Sequence, residues 1–131
     1  LREDMLRPLC LMQLFQDPFP PLCLLSCSVC ILSEVHRRGA RFFLYTTHAQ
    51  RSYSELAYRP GDFLVFGKET AGLGPKILES RMQYAARIPM LPDRRSLNLS
   101  NSVAIVVYEA LRQNGFDHMQ TTGELHRLKW N

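Results

Sequence analysis

RIPMLPDRRSLNLSNSVAIVVYEALRQ, Arg87–Gln113, is the stretch whose reading decides the fold. In its second half Leu99, Val103, Val106, Val107 and Ala110 recur at helical spacing. They draw one apolar stripe along a helix predicted from about Leu99 to Gln113. Asn98 or Ser100 can cap its start, and Gly115 stands where helices end. The first half is a polar loop that sets Arg94, Arg95, Ser96 and Asn98 just ahead of the helix. A helix N-terminus carries free N–H groups and a partial positive charge, which suit an anion or a polarised oxygen. Taken alone, SLNLSN also reads as an elaborate N-cap.

Upstream, YAARIPM (Tyr84–Met90) reads as a strand stopped by Pro89 and Pro92. Two more strands are predicted before it. RFFLYTT (Arg41–Thr47) is a short apolar and aromatic run closed by threonines. DFLVF (Asp62–Phe66) has no polar face, as a parallel strand covered on both sides requires. Ser52–Leu56 reads as a short helix or turn, and Arg59-Pro60-Gly61-Asp62 as a turn. The loop GKETAGLG (Gly67–Gly74) leads into PKILES, a short helix with Pro75 at its first position. ILSEVHRRG reads as a helix end with Gly39 after its cap. Strand, loop and helix in alternation define an α/β fold with a mostly parallel sheet. Ligands of such sheets sit beyond the carboxyl ends of the strands, where loops converge.

The composition is compatible with one domain and excludes little. The chain has 131 residues, 46% hydrophobic and 21% charged, ordinary values for a globular protein. It is too short for an eight-fold β/α barrel, which takes roughly 250 residues. Sixteen basic against twelve acidic residues leave a net charge of +4, which permits a polyanionic partner. Residues 1–30 differ from the rest: they are rich in Leu, Cys and Pro, without clean periodicity. The tail, 120–131, is polar with a late Trp130. The middle, 31–119, is the expected domain.

The four cysteines bunch at Cys10, Cys23, Cys27 and Cys30, which favours a reducing cytoplasm over a disulfide-stapled secreted fold. The apolar run from Phe19 to Leu32 is shorter than the ~20 residues that span a bilayer, so no membrane segment is expected. Cys23-x-x-x-Cys27-x-x-Cys30 has the spacing of a radical iron–sulfur site, and Cys10 or His36 could complete a zinc site. Cysteine as a small buried hydrophobe is the favoured reading, and no metal is expected.

Two segments carry a resemblance. FGKETAGL (Phe66–Leu73) matches the FGxExxGL loop, and Arg87–Gln113 matches the third motif, of the SPOUT superfamily of RNA methyltransferases, SpoU/TrmH type. The sequence is most similar to the small members that 2′-O-methylate the wobble nucleotide of tRNA. FFLYTTHA (Phe42–Ala49) resembles the strand and threonine pair before motif two, and the likeness runs from about Ile31 to His118.

The resemblance implies a deep trefoil knot at the C-terminal end of the domain, a rare exception to unknotted connections. It implies S-adenosyl-L-methionine as methyl donor, held largely by backbone at Tyr45, Gly67, Leu73, Ile88, Met90, Ser96 and Leu97. Tyr45 stands where an aliphatic residue is more usual. Glu69, Ser96 and Asn98 take the catalytic positions, and Arg94, Arg95 and Tyr108 those facing RNA. A homodimer through the knot helix and tRNA as partner follow from the same likeness.

One departure stands against these matches. Motif one, with its asparagine–glycine loop and downstream arginine, has no counterpart in residues 1–30, so the first strand and helix are expected to be missing or altered. That arginine is credited with activating the 2′-hydroxyl. Arg37, Arg38 and Arg41 are the substitutes within sight, and a relative that binds RNA or cofactor without catalysis stays open.

Overall fold

The structure, a computed structural model, describes residues 9–13, 23–25, 37, 39–67, 73–94 and 97–130. Among these, five strands form one sheet: β1 (Leu9–Gln13), β2 (Cys23–Leu25), β3 (Phe42–Tyr45), β4 (Phe63–Phe66) and β5 (Ala85–Ala86). Their spatial order is β2-β1-β4-β3-β5. β4, β3 and β5 run parallel, as the apolar runs predicted. β1 lies antiparallel to both β4 and β2, so the sheet is mixed rather than uniformly parallel.

β1 and β2 fall in the segment for which the sequence predicted no regular element. Four prolines and a missing alternation hide them. Cys10 pairs with Phe66 and Gln13 with Phe63, which gives the open edge of β4 a hydrogen-bonded neighbour. The third predicted strand is much shorter than the apolar run that suggested it. A 3-10 turn takes Met82–Tyr84, β5 holds two residues, and Arg87 adds one bridge to Ser52. Pro89 offers no N–H, which ends the ladder beyond that point.

Among the described residues, two helices cover the two faces. α1 (Pro75–Arg81) starts with Pro75 in its first turn after Gly74, as predicted. α2 (Leu99–Gln113) has the predicted bounds. The strand side chains alternate between them. Phe42, Leu44, Val65 and Ala85 join Leu73 and Ile77 on the α1 side. Phe43, Tyr45, Leu64, Phe66 and Ala86 join Val106 and Ala110 on the α2 side. Leu44, Leu64 and Val65 are fully buried, each contributing about 1.5–3 kcal/mol of transfer free energy. This is why β3 and β4 read as unbroken apolar runs.

The turn after the 3-10 segment Tyr53–Glu55 is fixed by charge. Ser52 and Glu55 close a capping box on that segment. The Asp62 carboxylate, 2% exposed, accepts from Arg41 Nε and Nη2 at 3.0 Å each and from the Arg59 amide at 2.7 Å. Gly61 sits at φ 89°, a left-handed conformation that glycine adopts freely. No helix of the described residues is long and apolar enough to cross a membrane.

Candidate active site

Register brings the candidate residues together. Tyr45 pairs with Phe66 on one side and with Ala86 on the other, so three parallel strands end level. The Thr46 amide donates to the Ala86 carbonyl at 3.0 Å and ties the edge beyond the last pair. Gly67 therefore leaves the sheet beside Tyr45, and the chain toward Ile88 leaves it on the other side. With strands about 4.8 Å apart, the two exits lie roughly 10 Å from each other. The chain at Tyr45 and Thr46 passes between them.

Side chains line this edge from two layers. Ile88 packs with the α2-side core and Leu73 with the α1-side core. Met90 is half-buried, whereas Leu97 is 37% exposed. Glu69, Arg95 and Ser96 lie outside the described residues, as do Cys27, Cys30 and His36 of the alternative metal reading. The described residues contain no group of three or more His, Cys, Asp or Glu side chains placed to hold a metal ion.

Asn98 is the N-cap of α2: its Oδ1 accepts from the amides of Ser100 at 2.8 Å and Asn101 at 3.4 Å. The cap uses only the oxygen, and the two Nδ2–H donors take no part in it. Asp93 stands at φ 60°, turning the chain so that Arg94 is exposed just before the cap. Tyr108 is 58% exposed on the outer side of α2.

Tyr45 is the surprise. Its ring stacks on Phe66 at 4.8 Å, and its hydroxyl lies 2.9 Å from that of Tyr58, which in turn donates to the Tyr53 carbonyl at 2.8 Å. Burial pushes the Tyr58 phenol up to about 12 and raises that of Tyr45 further. Neither ionises near neutral pH, so Tyr45 brings a neutral ring, and no base, to the wall of the candidate site.

A clamp that the sequence did not announce holds α2 to this wall. Gln113 Oε1 accepts from the Tyr58 amide at 2.9 Å, and its Nε2 donates to the Leu56 carbonyl at 2.8 Å and to Glu109 at 2.9 Å. Asn114 Nδ2 adds a bond to the Tyr58 carbonyl at 3.3 Å. The partners are some 55 residues apart, beyond any local pattern.

Arg41 lies away from the candidate site. It sits before β3, at the opposite end from the level strand ends, with its guanidinium bound to Asp62 and to the Ala57 carbonyl.

Residues 21–108 match the SpoU rRNA Methylase family. The chain belongs to that family. A tRNA (cytidine(34)-2′-O)-methyltransferase of Polaromonas sp. is 54% identical over 87 residues, covering 66% of this chain and 53% of the relative. The Escherichia coli K12 protein of the same name is 49% identical over 77 residues, covering 58% and 49%. A structure described as giving insights into the 2-OH methylation of C/U34 on tRNA superposes with a TM-score of 0.61 at 38% identity, over 68% of this chain and 57% of that one. The chain thus spans about half the length of the curated relatives it matches.

Proposed function

We propose that this chain transfers a methyl group from S-adenosyl-L-methionine to the ribose 2′-oxygen of the wobble nucleotide of a tRNA. The observation that carries the reading is the level ending of β3, β4 and β5, from which the chain leaves toward Gly67 and Ile88 on either side of Tyr45. Relatives about 50% identical bear names with that activity. Gly67 has no side chain to block a flat ring, and Ile88 and Leu73 supply apolar flanks. The residues present fit the adenosyl group of the donor. Tyr45, Met90, Ser96 and Leu97 complete the cradle in this reading, formed as the chain threads a trefoil knot.

The bound donor supplies an electrophilic methyl, so the protein's task is to orient the ribose and take its proton. Asn98 holds the start of α2 with its oxygen and turns its amide N–H donors toward the ribose. Glu69 and Ser96 share the positioning and proton removal. Arg94 and Arg95 bind the neighbouring phosphate with forked donors, and Tyr108 faces RNA or a second subunit. The enzyme works as a cytoplasmic homodimer with the exposed side of α2 in the interface, and needs no metal.

A second reading is favoured by one contact. Arg41 is committed to Asp62, which removes one candidate for activating the 2′-hydroxyl. A chain without such an arginine binds donor and RNA but does not turn over.

Methyl transfer to unmodified tRNA, measured beside the Asn98→Ala variant and beside calorimetry with the donor, separates the readings. The first expects transfer that Asn98→Ala abolishes. Donor binding without transfer supports the second. Full turnover by Asn98→Ala, or no donor binding at all, removes the assignment.

A further inference from the structure

The segment after α2 closes on itself in a turn that the proposed chemistry leaves without a task. The Trp130 indole Nε1 donates to the Gly123 carbonyl at 3.0 Å, and Gln120 Nε2 donates to the Thr122 carbonyl at 2.9 Å. The polar edge of the indole is thereby satisfied inside the tail. Its ring stays 70% exposed, beside Leu128 at 74%. His126, Arg127, Leu128, Lys129 and Trp130 alternate cationic or titratable with apolar side chains, all of them exposed. Glu124 is the one acidic residue from Thr121 to Trp130.

An indole whose N–H is already bonded offers a partner only its π face. With cations on alternate neighbours, that face suits an unpaired base whose flanking phosphates the cations meet. A protein partner would want a contiguous apolar patch, and Arg127 and Lys129 interrupt it here. We propose that the 123–130 turn is a stacking platform for an unpaired base of the RNA substrate, with Trp130 as the stacking ring and Arg127 and Lys129 on the phosphates. This rests on the reading of the chain as acting on tRNA.

Position sets what the platform does. α2 is 15 residues long, about 22 Å at 1.5 Å per residue, and the tail follows from the end opposite Asn98. A stacked base adds to RNA affinity without touching the reacting groups, so the platform acts on affinity and not on the chemical step.

Trp130 is the single tryptophan of the chain, and its emission reports on the contact directly. Titration with unmodified tRNA quenches that emission with the same midpoint as the KM for methyl transfer. Trp130→Ala raises the Kd and KM for tRNA about tenfold, the loss of one stacked base, while calorimetric affinity for the methyl donor is retained. Trp130→Phe restores most of the affinity, and Arg127→Ala flattens the salt dependence. Unchanged emission at saturating tRNA, or a parental KM in Trp130→Ala, overturns the platform. If the parent binds donor and methylates RNA without quenching, only the platform falls. If tRNA quenches Trp130 but no donor binds, the enzymatic reading falls and the platform stands.

Discussion

The hydroxyl of Tyr45 lies 2.9 Å from the hydroxyl of Tyr58, and the direction of the proton between them is fixed by a third group. Tyr58 commits its own proton to the Tyr53 carbonyl, which can only accept. Tyr45 must therefore be the donor to Tyr58. The order Tyr45, Tyr58, Tyr53 runs from the wall of the candidate site to the outer turn, and it makes the two phenols unequal.

The inequality predicts different costs. Tyr45→Phe removes one donor and leaves Tyr58 bonded to Tyr53, at a cost of about 1 kcal/mol. Tyr58→Phe strands the buried Tyr45 hydroxyl, whereas the Tyr53 carbonyl keeps the Leu56 amide, at a cost of about 2 kcal/mol. The double substitution costs less than the two single values combined, because nothing polar is left stranded on the strand. Urea unfolding of the three variants checks the order, and equal single values would refute the proton direction.

Alkaline stability follows from the same pair. Both phenols titrate higher in the folded chain than the ordinary tyrosine value near 10. Between pH 10 and about 12 the unfolded chain has lost protons that the folded chain keeps. Stability is therefore complete below pH 10 and declines as pH rises through that window and beyond. Thermal melts from pH 8 to 12 should show the decline in the parent, and a shallower one in the double Tyr45→Phe, Tyr58→Phe variant.

Gln113 carries more than its exposed surroundings indicate. Gln113→Ala breaks its bonds to Tyr58, Leu56 and Glu109 together, for a loss of about 2 kcal/mol. Gln113→Glu keeps the acceptor for the Tyr58 amide but offers no proton to Leu56, and it faces the carboxylate of Glu109. Arg112 and Gln113 hold the Glu109 carboxyl below the usual carboxylate range, so it is ionised at neutral pH. The Gln113→Glu variant should gain stability relative to the parent as pH falls from 7 to 4, measured by denaturant midpoints. A pH-independent difference would remove the clamp.

Asn98 has two tasks that two substitutions separate. Asn98→Ala loses the cap and about 1 kcal/mol with it. Asn98→Ser keeps an oxygen for the Ser100 amide but has no amide donors, so its melting temperature stays near the parent's while methyl transfer is lost. Recovery of activity in Asn98→Ser would assign the residue to the helix alone.

The elements with strong local grammar were legible in the sequence, and those made by distant partners were not. α2 was bounded correctly because Val106 and Ala110 lie on a stripe with clear stops at Asn98 and Gly115. β3 and β4 were legible because their neighbours cover both faces. β1 and β2 were not, since their proline-broken run has no alternation and the seat of β1 on Phe63–Phe66 is set by distant partners. Of the candidate site, Gly67 and Ile88 stand out by motif, whereas Tyr58 and Gln113 act through contacts that no spacing encodes. Tyr45 was legible as an oddity, and its reason is the hydroxyl of Tyr58.

The antiparallel seat of β1 on β4 carries a consequence for how the molecule assembles. Leu9–Gln13 leaves the ribosome long before Phe63–Phe66 exists, so it has only Cys23–Leu25 to pair with while the parallel trio forms. Until it docks, Phe63–Phe66 presents a bare fringe of amides and carbonyls on a wholly apolar ribbon. A late or failed arrival of the first strand invites a neighbouring chain into the same seat, which makes self-association during synthesis the characteristic hazard of this architecture.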